Sequence, residues 1–308
     1  MRRRFLAWWE GLDEADLQEP DEAYLTPAPA DMSGPEEGSP LYVPRIPQLA
    51  DHLTIAQALW GEGYLGPGDR DFILSLVSQL AISRDKSLAL LGIGLGGPAR
   101  DLCRDSGIWV SGYEARPDLI EPASEQCLMA GLARKVSVQH FDPQTTALPD
   151  GKYHIVMSRD EFHTLGRQDH MMGQVYSALR PGGSALVTDY VVTEAGDPER
   201  LATTAFSDIW GGAVLTTADD LARAMREAGF DLRVRKDMTD AYIDLISATT
   251  PGWGRLLDML QNGDERVCDR REFVQALARE TEMWGERLRA LKAGELAVYR
   301  LFGLKPEG

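Results

Sequence analysis

Short apolar runs alternate with helical segments along most of the chain after residue 51, and this alternation constrains the fold more than any other feature. Predicted strands cover residues 88–91, 109–113, 136–139, 154–157 and 185–188. These runs are short and apolar on both faces, which is typical of parallel strands that helices cover on both sides. The sequence therefore predicts a doubly wound α/β domain with a Rossmann-like sheet.

Apolar residues at helical spacing fill the segments around these strands. Two helices, at residues 53–60 and 72–80, are predicted before the first strand. Later helices are predicted over residues 98–105, after the second strand through Ala130, and over residues 171–179. A Pro-Gly-Gly turn at 181–183 precedes the fifth strand. The strands and helices thus follow each other in the order that a doubly wound fold requires.

A glycine-rich turn directly follows the first predicted strand. Its glycines are Gly92, Gly94, Gly96 and Gly97, and Pro98 opens the helix behind them. Glycine lets the backbone approach a ligand closely, and the first N–H groups of the following helix point towards that ligand. This spacing fits an adenosyl ligand and the pyrophosphate of a dinucleotide equally well, so it does not choose between them.

Acidic and turn residues follow the later strands in a set order. Glu114 ends the second strand about 20 residues beyond the glycines, where a carboxylate can accept hydrogen bonds from ribose hydroxyls. Asp142 follows the third strand, residues 158–163 follow the fourth, and the turn at 181–183 precedes the fifth. In this order the motifs resemble those of the class I S-adenosylmethionine (SAM)-dependent methyltransferases, over about residues 57–305.

The resemblance implies a seven-stranded sheet with an antiparallel last strand, SAM as cofactor and S-adenosylhomocysteine as product. Residues 228–239 resemble the sixth-strand region of small-molecule methyltransferases, and residues 295–306 resemble their last strand. Between them, about residues 241–293 correspond to a helical insertion that caps the substrate pocket in similar enzymes. The alternative for this insertion is a structural or dimerising helical pair. The predicted methyltransferase domain covers residues 51–308.

The chain looks most similar to phosphoethanolamine- and glycine/sarcosine-type N-methyltransferases. Residues 60–68 match their aromatic-Gly-Glu-x-Tyr stretch, which implies that Tyr64 lies over the methyl donor. His163 matches a histidine that orients the amine together with an upstream tyrosine, but Ala56 stands at the position of that tyrosine. Leu90 likewise replaces an acidic residue that usually holds the glycine loop and the amino group of the ligand.

The resemblance also implies how the cofactor would be held. Gly92, Gly94 and Gly96 would admit the ligand, Glu114 would bind the ribose, and Asp142 would accept a hydrogen bond from the adenine amino group. Two alternatives stay open. In the first alternative, Glu114 is a solvated carboxylate at a strand end. In the second, Asp142 is a turn-forming residue before a proline.

His163 is the candidate general base, because an imidazole can take up a proton near neutral pH. The alternative is a structural histidine that caps the loop after the fourth strand. The adjacent Asp160 and Glu161 either face a cationic amine or are exposed. The other histidines lack metal-ligand spacing, so no metal site is predicted.

Charge and cysteine content exclude several classes of partner. The net charge of −16 opposes binding to nucleic acid. Cys103, Cys127 and Cys268 lack the spacing of a metal site, and we expect them to be reduced thiols of a cytoplasmic protein. No apolar run is long enough to cross a membrane.

The first 50 residues and two tryptophans bear on other partners. Residues 1–50 are acidic and rich in proline, which predicts a loosely ordered extension. Residues 5–9 predict a short helix that docks on the domain or, through residues 1–10, on a membrane surface or partner. Trp253 and Trp284 are interpreted as exposed, which favours a homodimer.

Together these features favour an enzyme that transfers a methyl group from SAM to a small-molecule amine or hydroxyl. A second hypothesis, based on Leu90 and Ala56, is a catalytically weak SAM-binding protein that regulates or binds a partner. A third, an NAD(P)-dependent oxidoreductase, is disfavoured because the Tyr-x-x-x-Lys pair is missing at the expected place.

Overall fold

A seven-stranded sheet forms the centre of the protein. The computed structural model describes residues 49–264, 266–267 and 269–307. The strands run in the order β3-β2-β1-β4-β5-β7-β6. Their bounds are Ser87–Leu91 (β1), Trp109–Glu114 (β2), Val136–His140 (β3), Tyr153–Arg159 (β4), Leu179–Val192 (β5), Asp231–Asp237 (β6) and Leu296–Leu304 (β7).

Ten α-helices are described in these residues, and they flank the sheet. They are Leu49–Trp60 (α1), Arg70–Val77 (α2), Gly97–Ser106 (α3), Pro117–Met129 (α4), Gln168–Ala178 (α5), Pro198–Thr204 (α6), Ala218–Glu227 (α7), Thr239–Ser247 (α8), Thr250–Asn262 (α9) and Arg270–Lys292 (α10). Two 3₁₀ turns, Phe162–Thr164 and Asp208–Trp210, lie in the connections. None of these helices is long and apolar enough to cross a membrane.

The strand order confirms the predicted doubly wound fold. β1 pairs in parallel with β2 and β4, whereas β7 pairs antiparallel with β5 and β6. The chain therefore winds outwards from β1 to β3, returns beside β1 as β4, and continues on the other side. Such a reversal leaves a crevice at the carboxyl ends of the strands where ligands bind in open α/β sheets. Leu91 pairs with both Tyr113 and Ser158, so the loops that follow β1, β2 and β4 lie side by side.

Alternate residues of the central strands enter two different hydrophobic clusters. On β1, Leu88 and Leu90 pack on one side of the sheet, and Ala89 and Leu91 pack on the other. Because helices cover both faces, side chains in both directions are buried. This burial explains why the strands read as continuous apolar runs.

The predicted Pro-Gly-Gly turn at 181–183 lies inside β5 rather than before it. The pairing of β5 with β4 is irregular here: it passes from Leu179 opposite Tyr153 to Ser184 opposite Ile155. Gly182 adopts a φ of 72°, a conformation that glycine accepts without strain. The turn is thus a local irregularity of a long strand.

The predicted exposure of Trp253 and Trp284 is wrong. Their exposed fractions are 1% and 3%. The ring of Trp284 packs edge-on against the ring of Trp60 on α1, with 4.7 Å between the ring centroids. This contact joins α10 to the first helix of the described chain. The helical insertion therefore buries these indoles against α1, a contact between distant segments that helical periodicity alone does not reveal. Of the predicted extension over residues 1–50, residues 1–48, with the helix at 5–9, lie outside the described residues, as does Cys268.

Candidate functional site

The glycine loop after β1 needs glycine for its backbone conformation. Gly92, Gly94 and Gly96 have φ values of 68°, 56° and 80°, in the left-handed region. Gly96 then caps the N-terminus of α3. The loop packs closely on the segment before it, since the N–H of Gly97 donates to the carbonyl of Gly63 at 3.0 Å. The sequence thus builds a loop in which glycines alternate with two buried side chains, Ile93 and Leu95, at the edge of the crevice.

Glu114, at the end of β2, is buried and bonded to that loop. Its Oε2 accepts a hydrogen bond from the N–H of Gly94 at 2.8 Å, and its Oε1 accepts one from the N–H of Arg116 at 3.1 Å. Burial raises the pKa of this carboxyl, although the two backbone bonds act in the opposite direction. Glu114 is therefore an integral part of the loop and not a solvated strand end.

Glu161, after β4, extends over Gly92 from the opposite side. A Cβ at residue 92 would lie 2.5 Å from its Oε2, so only glycine fits beneath this carboxylate. Its Oε1 accepts a hydrogen bond from the hydroxyl of Thr164 at 3.2 Å. Burial, followed by the nearby charge of Glu114, raises the pKa of Glu161 well above its usual range.

The preceding residue, Asp160, is held by a helix of the insertion. Its backbone has a φ of 56°, which is uncommon for a residue other than glycine. Its Oδ1 accepts hydrogen bonds from the hydroxyls of Tyr242 at 2.6 Å and Thr188 at 3.1 Å. Neither Asp160 nor Glu161 is exposed on the surface as one sequence interpretation allowed.

His163 lies beside these carboxylates, paired with an aspartate on β5. Its Nδ1 is 2.5 Å from Oδ1 of Asp189, and both side chains are buried. Asp189 also accepts a hydrogen bond from the N–H of Tyr190 at 2.9 Å. The imidazole packs on the rings of Phe206 and Tyr190, at centroid distances of 4.9 and 5.6 Å. Because Asp189 occupies Nδ1, Nε2 is the nitrogen through which His163 can meet a ligand.

One cavity of about 200 Å³ brings these groups together. The glycine loop and Glu114 line one side, and Glu161 and His163 line the side that follows β4. The opposite wall comes from later segments of the chain: Phe206, Ser207, Trp210, Met283, Trp284 and Arg287. The cavity therefore lies between the sheet edge and the helical insertion. Among the described residues, no group of His, Cys, Asp and Glu is arranged to hold a metal ion.

Two predicted site residues are not part of the cavity wall. The hydroxyl of Tyr64 donates to Oδ2 of Asp101 at 2.6 Å, and the residues after it, Leu65 to Pro67, line the cavity instead. Burial and this hydrogen bond raise the pKa of Tyr64. The position of Tyr64 over the methyl donor stays a prediction. In the structure its hydroxyl ties its own segment to α3.

The carboxylate of Asp142 is hydrogen-bonded within its own loop. It accepts hydrogen bonds from the N–H of Gln144 at 2.8 Å and from the hydroxyl of Thr145 at 2.7 Å. These bonds hold the pKa of Asp142 below its usual range. This is the geometry of a turn-forming aspartate, which was the alternative interpretation.

Residues 69–233, more than half of the chain, match the family described as "Methyltransferase domain". The chain belongs to this family. The resemblance that the order of motifs indicated is thereby confirmed.

Relatives of this methyltransferase domain act on chemically different molecules. A sterol 24-C-methyltransferase of Neurospora crassa is 25% identical over 172 residues, which cover 54% of this chain and 45% of that protein. Phosphoethanolamine N-methyltransferase 1 of Zea mays is 22% identical over 214 residues, which cover 70% of this chain and 42% of that protein. The methyltransferase domain thus spans less than half the length of either curated relative.

A solved structure shares the fold at low sequence identity. Phosphoethanolamine N-methyltransferase 2 of Haemonchus contortus, determined with phosphomonomethylethanolamine and S-adenosylhomocysteine, superimposes with a TM-score of 0.70 at 18% identity. The superposition covers 85% of this chain and 59% of that one. The seven-stranded fold of the methyltransferase domain is therefore shared.

Arg287, which the sequence analysis missed, forms part of the outer wall of the cavity. It is 6% exposed, and its Nε donates to the carbonyl of Ala205 at 2.8 Å. Its guanidinium stacks on Phe206, Trp284 and Tyr190, at distances of 4.2, 4.3 and 4.8 Å from the ring centroids. The methyltransferase domain thus has a rigid, aromatic and cationic wall facing its glycine loop. Its only sequence signal was the aromatic residue that precedes it in α10 by one turn.

Proposed function

We propose that this methyltransferase domain transfers a methyl group from SAM to the amine or hydroxyl of a small molecule. The observation that carries the proposal is the single cavity in which the glycine loop, bonded to Glu114, faces His163. One side of this cavity suits an adenosyl donor, and the other side offers a base. The family match and the relatives that act on small molecules support the same activity.

The residues on the donor side fit SAM. Gly92 and Gly94 border the cavity without side chains of their own, and Glu114 offers a carboxylate to the ribose hydroxyls. Asp142 has one protein donor on each carboxylate oxygen, and each oxygen retains capacity for a further bond from the adenine amino group. When bound, SAM supplies a methyl group on a positively charged sulfur, which activates that carbon for displacement.

The residues on the acceptor side orient the nucleophile and remove its proton. Displacement at carbon needs alignment and exclusion of water more than it needs chemical assistance. Nε2 of His163 accepts the proton that the amine or hydroxyl loses, and Asp189 stabilises the resulting imidazolium through Nδ1. The three helices over about residues 241–293 cap the substrate, since Met283, Trp284 and Arg287 form the wall opposite the glycine loop.

Transfer of an isotopically labelled methyl group from SAM tests this proposal. The purified protein is incubated with labelled SAM and a fractionated metabolite extract, and the label is followed by mass spectrometry. We expect the label in a small amine or hydroxyl compound, and we expect its loss with His163→Gln. SAM binding without transfer to any fraction would contradict the proposal and favour the alternative, a regulatory SAM-binding protein.

A further inference from the structure

Glu161 is a cavity carboxylate that has no cationic side chain beside it among the described residues. Its Oε1 accepts from Thr164, but its Oε2, which lies over Gly92, has no hydrogen-bond donor among the described residues. No Lys, Arg or His nitrogen of those residues lies within 4.0 Å of either oxygen. A buried carboxylate without a cation is costly when it is ionised.

Three arginines line the cavity, and each has other partners. Arg287 donates to the carbonyl of Ala205 and stacks on Phe206. Arg159 donates to the carbonyl of Pro67 and lies 3.9 Å from Asp160. Arg116 donates to the carbonyl of Ile209 and pairs with Asp118 at 2.9 Å. Compensation of Glu161 must therefore come from a proton or from a ligand.

Glu114 also lies near Glu161 and adds a second negative charge to the same wall. Each of its own oxygens accepts one backbone N–H, from Gly94 and from Arg116. Burial and this neighbouring charge raise the pKa of Glu161, which favours a protonated carboxyl in the free protein. A cationic ligand group would reverse this preference by pairing with the ionised form.

We propose that Glu161 binds the ammonium group at the amino-acid end of the methyl donor. This inference rests on the proposed function and identifies the residue that holds one end of its cofactor. SAM has two cationic groups, but only the ammonium carries N–H donors for the free Oε2, because a sulfonium has none. Leu90 cannot form such a pair, and Glu161 supplies a carboxylate over the first glycine of the same loop.

Pairing with the ammonium favours the ionised carboxylate, so binding favours release of a proton from Glu161 to the solvent. Affinity for the donor accordingly rises as the pH rises through the titration range of Glu161, since less work is needed to remove that proton. S-adenosylhomocysteine carries the same ammonium and behaves in the same way. Methylthioadenosine lacks the amino-acid end, so its affinity does not depend on the ionisation of Glu161.

Calorimetry with SAM, S-adenosylhomocysteine and methylthioadenosine tests the inference on the full chain. For Glu161→Gln we expect binding of S-adenosylhomocysteine to weaken about 10- to 100-fold, because a charge-assisted bond is replaced by a neutral one. We expect unchanged binding of methylthioadenosine. Titrations in two buffers of different ionisation enthalpy should show proton release with S-adenosylhomocysteine in the wild type and its loss in the variant. Glu125→Gln, on the exposed face of α4, is the matched control.

Each other outcome has a distinct meaning. Equal weakening of S-adenosylhomocysteine and methylthioadenosine would mean that Glu161 only supports the glycine loop, and unchanged binding of both would place it on the acceptor side. Weakening with SAM alone would assign it to the sulfonium. All three results overturn the inference and leave the proposed function intact. Failure of the wild type to bind any of the three ligands would overturn the proposed function itself.

Discussion

At the scale of single residues, the pairing of His163 with Asp189 carries the proposed chemistry of the cavity. A carboxylate on Nδ1 fixes the orientation of the imidazole, as the proposed role of general base requires. The rings of Phe206 and Tyr190 hold the imidazole from its sides. The pair is therefore preorganised before any acceptor enters.

The substitution Asp189→Asn tests this pair. The amide would retain the shape of the carboxylate, but it would no longer stabilise the imidazolium, so we expect turnover to fall about 10- to 100-fold. Steady-state rates give the change in turnover, and the affinity for S-adenosylhomocysteine is the control, which we expect to be unchanged. An unchanged rate, or an equal fall in the affinity for S-adenosylhomocysteine, would contradict this role of Asp189.

The sequence predicted His163 but not Asp189, for a physical reason. His163 follows a strand end, where functional side chains collect, whereas Asp189 lies inside the apolar run of β5. Only the parallel register, with Arg159 of β4 opposite Thr188, brings Asp189 level with the loop that follows β4. An acidic residue within an apolar strand was the one available signal. The opposite case is Tyr64, whose motif was present but whose hydroxyl is bonded to Asp101.

At the scale of elements, Glu280 of α10 holds three separate segments together. It is 2% exposed and accepts hydrogen bonds from Nε1 of Trp210 at 2.6 Å and from Nε1 of Trp284 at 3.0 Å. Its Oε1 also lies 2.6 Å from Nδ1 of His52 on α1. Because both indoles line the cavity, this carboxylate fixes part of the cavity wall.

We expect Glu280→Gln to destabilise the fold by about 1–3 kcal/mol, because a buried, charged acceptor of several hydrogen bonds becomes a weaker, neutral one. Urea denaturation measures the change in free energy of unfolding. Glu282→Gln, exposed on the same helix, should change it by less than about 0.5 kcal/mol. Equal effects of the two substitutions would contradict the role of Glu280.

The helices of this wall were predictable as helices, but their contacts were not. The spacing of apolar residues indicated helices over about 241–293, and the structure has α8, α9 and α10 there. The partners of Glu280 lie 228 residues away at His52 and 70 residues away at Trp210. No local pattern encodes such separations. The same reason explains why Trp253 and Trp284 were interpreted as exposed.

At the scale of the whole molecule, the two halves of the chain supply the two sides of one cavity. The early strands β1 and β2 carry the glycine loop and Glu114, and the segments after β5 supply the opposite wall. The sheet and its switch in strand order were readable from the alternation of apolar runs and from the motifs. The sequence did not predict how the cavity is closed, because closure depends on how the insertion packs on α1.

The central claim is that the loop of Gly92, Gly94 and Gly96, bonded to Glu114, holds an adenosyl ligand. Calorimetric titration with S-adenosylhomocysteine tests it most directly. We expect wild-type binding with a Kd near 1 μM, or about −8 kcal/mol, and at least about tenfold weaker binding by Glu114→Gln, which loses a charged acceptor for the ribose. The exposed Glu121→Gln should bind like the wild type. No binding by the wild type, or equal binding by Glu114→Gln, would contradict the account.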